Sequence, residues 1–292
     1  MKTETLDHKI KLQKTNKEKV TEFYDEATED YEFWSKDYNM HFGYFEFLKT
    51  NPFRRDTMLN AMNAQVFKRL QLQKKANLIA DFGCGMGGTM RYGLKKDEKL
   101  SAIGVTLSPF QMQEGNKLLQ NLKGVILQEN YNHTSIKSNS TDGVIAVESL
   151  CHGGHHKKSL KEAYRILKPG TKLVVADAFL KKEASELCLG SHYCYQQLCQ
   201  GWSLEKLGTI HTVEQRLSEI GFKNIQITDA SFRVAPSVLH VPFAISSFLL
   251  KKIFKREIIK PQGWKNLVGS LFALLSGLHM KSFGYYIITA EK

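Results

Sequence analysis

At 292 residues, 42% of them hydrophobic, the chain is long enough for one large α/β domain or two small ones, and apolar enough to fill a core. Its net charge of +12 favours acidic partners, but the lysines are spread along the chain as on a solvated surface, so nucleic-acid binding is not expected. Five cysteines without zinc or C-x-x-C spacing, no signal peptide at the start and no uninterrupted apolar run of 18 residues lead us to expect a cytoplasmic setting without a spanning helix.

Residues 1–18 are polar and lysine-rich and are expected to form a flexible lead-in. Residues 19–72 read as an N-terminal helical lid. Its first part is dense in aromatics from Phe23 to Phe47; its second carries Leu59, Met62, Val66 and Leu70 at helical spacing. From residue 73 strands and helices alternate. Strands are expected over 78–82, 101–105, 125–127, 143–147, 172–177, 224–228 and 285–290. Lys168-Pro169-Gly170 stops one helix, since proline cannot continue it and glycine suits the exit. This alternation predicts an α/β fold, a doubly wound Rossmann-like sheet with helices on both faces. An insert at about 230–283 mixes Phe243, Phe248, Ile253 and Trp264 with Lys251, Lys252, Lys255, Arg256 and Lys265. It reads either as a cap over a pocket or as a basic amphipathic segment lying on an anionic membrane surface, too interrupted to span a bilayer. The two readings can coexist.

The most informative stretch is Leu78-Ile79-Ala80-Asp81-Phe82-Gly83-Cys84-Gly85-Met86-Gly87-Gly88, an apolar run ending in an acid and a glycine-rich turn. Glycine alone tolerates the positive φ and close backbone approach of such a turn, which can also exist with no ligand. The spacing Gly83-x-Gly85-x-Gly87 is tighter than the dinucleotide pattern. It resembles motif I of the class I S-adenosylmethionine-dependent methyltransferases, whose turn cradles the amino-acid end of the cofactor. The resemblance implies a seven-stranded methyltransferase domain over 73–292 with the last strand antiparallel. It also implies that Asp81, Gly83, Gly85 and Gly87 bind the cofactor, Asp81 beside its ammonium or ordering water.

Gly104-Val105-Thr106-Leu107-Ser108-Pro109-x-Gln111 resembles the segment of tocopherol and cyclopropane-fatty-acid type methyltransferases that replaces the usual ribose-binding acid, implying cofactor roles for Thr106, Leu107 and Gln111. The plain alternative is a Ser-Pro helix start. Glu129 and Asn130 stand where these families hold the adenine amino group. Val147-Glu148-Ser149-Leu150-Cys151-His152 resembles the sterol C-24 methyltransferase motif. That places Glu148, at cofactor and acceptor, and His152 beside the transferring methyl as candidate catalytic bases; the alternative for Glu148 is a capping or surface carboxylate. Cys151, His152, His155 and His156 are a conceivable metal cluster, but the flexible Gly153-Gly154 between them argues against a preset site, and no metal is expected. The N-terminal aromatic run resembles the lid of the same families, implying that Tyr24, Tyr31, Trp34, His41 and Tyr44 line the substrate. Their aromatic faces either stabilise a cation or form an ordinary hydrophobic lid. Ile227-Thr228-Asp229 and Phe283-Gly284-Tyr285 resemble prenyl-acceptor methyltransferases.

The expectation is therefore an enzyme using S-adenosylmethionine to methylate, on carbon, a hydrophobic small molecule: an isoprenoid, sterol-like, prenylated aromatic or lipid acceptor. Two alternatives stay open. One is O- or N-methylation of a polar metabolite. The other is a basic membrane-surface or nucleic-acid binding protein on a methyltransferase scaffold.

Overall fold

The computed structural model describes residues 34–153, 157–256, 258–259 and 261–292. Tyr24, Tyr31 and the first part of the expected lid lie outside the described residues, as do His155 and His156. Seven strands, β1 (Asn77–Phe82), β2 (Leu100–Thr106), β3 (Gly124–Gln128), β4 (Thr141–Val147), β5 (Leu167–Leu180), β6 (Lys223–Asp229) and β7 (Phe283–Glu291), form one sheet ordered β3-β2-β1-β4-β5-β7-β6. β1 through β5 pair in parallel; β7 runs antiparallel to both β5 and β6. The doubly wound sheet with an antiparallel last strand is thus as expected.

Nine helices surround it among the described residues: α1 (Arg55–Leu70), α2 (Gly88–Lys96), α3 (Pro109–Leu118), α4 (Lys157–Ile166), α5 (Leu189–Gly201), α6 (Ile210–Ile220), α7 (Ser231–Val238), α8 (Val241–Lys255) and α9 (Pro261–Leu278). β4 is buried from Thr141 to Ala146 without alternation, because helices cover both faces of the sheet. On one face Met62, Val66 and Leu70 of α1 and Met90 and Leu94 of α2 pack against Ile79 and Ile145. On the other, Leu160, Ala163 and Ile166 of α4 and Val213 and Leu217 of α6 meet Phe82, Val144 and Ala146. Each large side chain so buried contributes roughly 1.5–3 kcal/mol. The stripe Leu59, Met62, Val66, Leu70 that marks α1 in the sequence is its buried face.

Three details add to the sequence reading. Lys168-Pro169-Gly170 ends α4, but as a bulge inside β5: the register slips between Thr141 and Gly143, and Gly170 adopts φ +75°. Proline lacks the ladder N–H and is tolerated at such a bulge. α5 carries no regular apolar stripe, since its buried residues are Ser191, Leu198 and Gly201, so periodicity does not reveal it. The insert folds as α7–α9. Its helical stretch Ser231–Lys255, taken through the turn at Leu239-His240, is long and apolar enough by length and composition alone to cross a membrane. It does so without an uninterrupted apolar run of 18 residues: Arg233 lies near its start and Lys251, Lys252 and Lys255 near its end.

α9 is held against α5 by a glycine crossing. A Cβ on Gly201 would lie 2.4 Å from Gly269 Cα, and one on Gly269 would lie 2.5 Å from Trp202 Cδ1. Gly201→Leu is therefore expected to lower stability by about 1–3 kcal/mol through overpacking. Denaturant unfolding checks it, and an unchanged midpoint would contradict this crossing.

Candidate active site

In a sheet of this order the crevice at the carboxyl ends of β1 and β4, where strand order reverses, is the natural ligand site. A cavity of about 340 Å³ opens there and continues beneath α7–α9. Its near end is the glycine turn. Gly83, Gly85 and Gly87 have φ of +71°, +55° and +75°, and Gly83 passes so close to the segment after β4 that a Cβ would sit 2.5 Å from Ser149 Cβ. The Gly83 and Cys84 amides donate to Val105 O at 2.9 and 3.0 Å, closing the turn onto β2. Behind it Asp81 is 2% exposed, and burial pushes its carboxyl up to about 7 although the Met90 N–H favours the charged form. Its Oδ2 has no hydrogen-bond partner. A buried acid with an unpartnered oxygen beside open backbone is fitted to a cationic ligand group.

Beside the turn, the Thr106 hydroxyl donates to Gln111 Oε1 at 2.7 Å, and Ser108 caps α3 by accepting from the Gln111 N–H at 3.1 Å. The Ser-Pro segment is thus a helix start that also brings Thr106, Leu107 and Gln111 to the cavity.

Above the turn runs an extended strap over residues 38–45. Arg91 of α2 donates to Asp37 O and Gly87 O, tying the strap's start to the glycine turn. The Phe42 N–H donates to Glu148 Oε1 at 2.7 Å, the Gly43 N–H to Ser237 Oγ at 2.8 Å, and the Phe45 N–H to Arg233 O at 2.7 Å. Glu148 follows β4 with φ +47°, a strained conformation for a residue with a side chain. Its Oε1 also accepts from the Tyr285 hydroxyl at 2.9 Å. What exposure Glu148 has is to the cavity, so burial dominates and lifts its carboxyl to about 8 despite two donors. Burial, with Glu148 alongside, holds the Tyr285 hydroxyl well above its usual range, so it stays a donor. His152 is pushed down to about 4 by burial, opposed by nearby Asp177, and is neutral near pH 7.

Of the residues singled out in the sequence, Asp81, Gly83, Gly85, Thr106, Leu107, Gln111, Glu148, His152, Trp34 and His41 meet around this one cavity. Four lie off it. Gly87 stands behind, as the cap of α2. Glu129 accepts from the Ser135 N–H and hydroxyl at 2.9 and 2.6 Å, Asn130 accepts from the Asn132 N–H, and Tyr44 packs into the core beside α1. His41 lines the cavity, but its ring bridges Phe42 O and Asn63 Oδ1, which reads as a clamp on the strap. Asp177 was not foreseen. It is fully buried at the cavity wall in β5, and its carboxylate accepts from the Cys151 and Ala178 amides at 2.9 and 2.8 Å. A lone acid in the apolar run Leu173-Val174-Val175-Ala176-Asp177 was the available signal. Among the described residues no cluster could hold a metal ion.

This sheet order, with a glycine turn after β1 backed by a buried acid, is the arrangement of the class I S-adenosylmethionine-dependent methyltransferase fold. Residues 80–175 match the family profile described as a methyltransferase domain. The chain is 25% identical to the O-methyltransferase resE of Aspergillus sclerotiorum, over 87% of its own length and 89% of that protein's. It is 27% identical to 24-methylenesterol C-methyltransferase 2 of Arabidopsis thaliana over 53% of its length, but spans only 42% of that relative. In fold it is similar to the cyclopropane synthase MmaA2 of Mycobacterium tuberculosis, with a TM-score of 0.74, 17% identity, and coverage of 95% and 99% of the two chains. The chain carries a methyltransferase domain of this class, and its cofactor is S-adenosylmethionine.

Two outcomes are expected. If the Asp81 carboxylate receives the cofactor's ammonium, protonation below about pH 7 removes that partner. Affinity for S-adenosylhomocysteine then falls by up to about tenfold per pH unit below 7. Calorimetric titration across pH 5.5–7.5 reads this, and Asp81→Asn flattens the dependence. Gly85→Val, whose side chain resists φ +55°, is expected to fold but give no titration heat; wild-type affinity would overturn the role of the turn.

Proposed function

We propose that the chain transfers a methyl group to a carbon of a hydrophobic small molecule of the isoprenoid, sterol-like, prenylated-aromatic or lipid type. The observation that carries this reading is one continuous cavity, polar at Asp81 and Thr106 and walled at its far end by Val234, Val238, Val241, Ala244, Ile245 and Phe248. A polar metabolite would leave that apolar wall unmatched.

S-adenosylmethionine, when bound, supplies an electrophilic methyl on a charged sulfonium. The chain's own contribution is alignment, worth about 7–11 kcal/mol when reacting groups are held in line. The apolar walls exclude water from that alignment. A carbon nucleophile gains positive charge as it takes the methyl. Aromatic faces stabilise such a charge by about 0.5–2 kcal/mol each. Arg55 already sits over the Trp34 ring, 4.6 Å from its centroid, so Phe42 and Trp202, 6.4 Å apart at the cavity wall, are better placed for this than Trp34. A proton must then leave, and Glu148 or His152 takes it. The sterol C-methyltransferase relative supports the carbon reading. The fungal relative, matched over more of its length, is named an O-methyltransferase, and it supports a second reading in which the same base takes a hydroxyl proton.

Incubating the enzyme with methyl-labelled cofactor and a lipid extract, then locating the label by mass spectrometry, tests the proposal. Label on a carbon of an apolar product is expected. Label only on oxygen would establish the second reading, and label only in polar metabolites would exclude both.

The base is separable by pH. Glu148 acts only when deprotonated, and its value of about 8 makes turnover rise with pH to a midpoint at or below 8, since a bound sulfonium favours the carboxylate. With saturating cofactor, a His152 base, at about 4, leaves turnover flat through neutrality. Glu148→Gln or His152→Ala, whichever removes the base, is expected to cut turnover about 10²–10⁴-fold with S-adenosylhomocysteine affinity retained. Near-normal turnover in a variant acquits that residue.

A further inference from the structure

The helices that wall the cavity are apolar on their outer side as well. On α8, Val241, Ala244, Ile245 and Phe248 face the cavity, while Phe243, Leu250, Ile253 and Phe254 are 72%, 54%, 70% and 84% exposed on the opposite side. On α9, Trp264, Val268, Leu271, Leu275 and Leu278 recur at steps of four and three residues, the spacing of one helical stripe, and all are exposed. The loop bearing Phe53, 89% exposed, is tied to the turn between α7 and α8 by a 2.6 Å hydrogen bond between His240 and Pro52 O. Phe232, 80% exposed, precedes the Arg233 carbonyl that holds the strap. A patch of this extent marks an interaction surface.

Charge decides what covers it. From Ser231 to Leu278 the sequence has seven cations (Arg233, Lys251, Lys252, Lys255, Arg256, Lys260 and Lys265) and one acid, Glu257. A second copy meeting the patch by a twofold axis would bring two such cationic surfaces together. An anionic lipid surface would instead attract them while accepting the apolar side chains.

We infer that the outer face of α7–α9 docks on an anionic membrane, with α8 and α9 lying in the interface. The same helices then have lipid on one side and the cavity on the other. A membrane-dissolved molecule passing between them reaches the cavity without crossing water.

Vesicle co-sedimentation without cofactor or acceptor tests this surface separately from the proposed reaction. Expected are binding to phosphatidylcholine vesicles containing phosphatidylglycerol, release at high salt, and a blue shift of tryptophan fluorescence that Trp264→Phe removes. Replacing Lys251, Lys252, Lys255 and Arg256 by Gln is expected to weaken binding at least about tenfold at low salt. Phe243→Ser with Phe254→Ser is also expected to weaken it, with S-adenosylhomocysteine affinity retained as proof of folding. No binding at low salt, or binding indifferent to salt and to these variants, would overturn the inference. So would a lipid-free dimer that Leu271→Glu dissociates.

Discussion

One carboxylate oxygen at the cavity wall organises the site. Glu148 Oε1 accepts from the Phe42 N–H, 106 residues away in sequence, and from the Tyr285 hydroxyl, 137 residues away. These bonds join the strap, the end of β4 and the start of β7 around the cavity. Burial alone would expel the charge, and it raises the carboxyl to about 8; the two donors work in the other direction. The result is a group balanced between acid and base near neutrality, in a strained backbone conformation that the surrounding contacts hold in place. Asp177 completes the wall by accepting from the Cys151 amide, fixing the turn that follows β4.

The cofactor end was legible because it is local. Asp81 and the glycines lie within seven residues, and their chemistry follows from a strand, an acid and a turn. The Thr106–Gln111 segment is equally local, and its N-cap and its site function coexist. Glu129 and Asn130 were placed by position along the chain alone; their side chains instead satisfy the loop that follows β3. Tyr285 lay within a stretch singled out for resemblance, but its hydroxyl acquires meaning only when β7 inserts between β5 and β6. No sequence period encodes that insertion.

The cap shows the opposite limit. Its composition announced an apolar, basic segment, yet composition could not divide the apolar residues between inside and outside. The fold does this: Phe248 is 6% exposed and Phe243 is 72% exposed on the same helix. α5 escaped notice because glycine and serine, not a leucine stripe, face its partner across the Gly201–Gly269 crossing. Small residues there let α9 approach closely enough to roof the cavity.

The central claim is that one cavity holds the cofactor at its polar end and an apolar acceptor beneath the cap. The most direct measurement is calorimetric titration of an isoprenoid alcohol into protein saturated with S-adenosylhomocysteine, repeated on Ala244→Trp, whose indole fills the cap end. The account predicts a ternary complex with one alcohol per chain, lost in the variant while S-adenosylhomocysteine affinity is kept. An alcohol that displaces S-adenosylhomocysteine, or that binds the variant as well as the wild type, would contradict it.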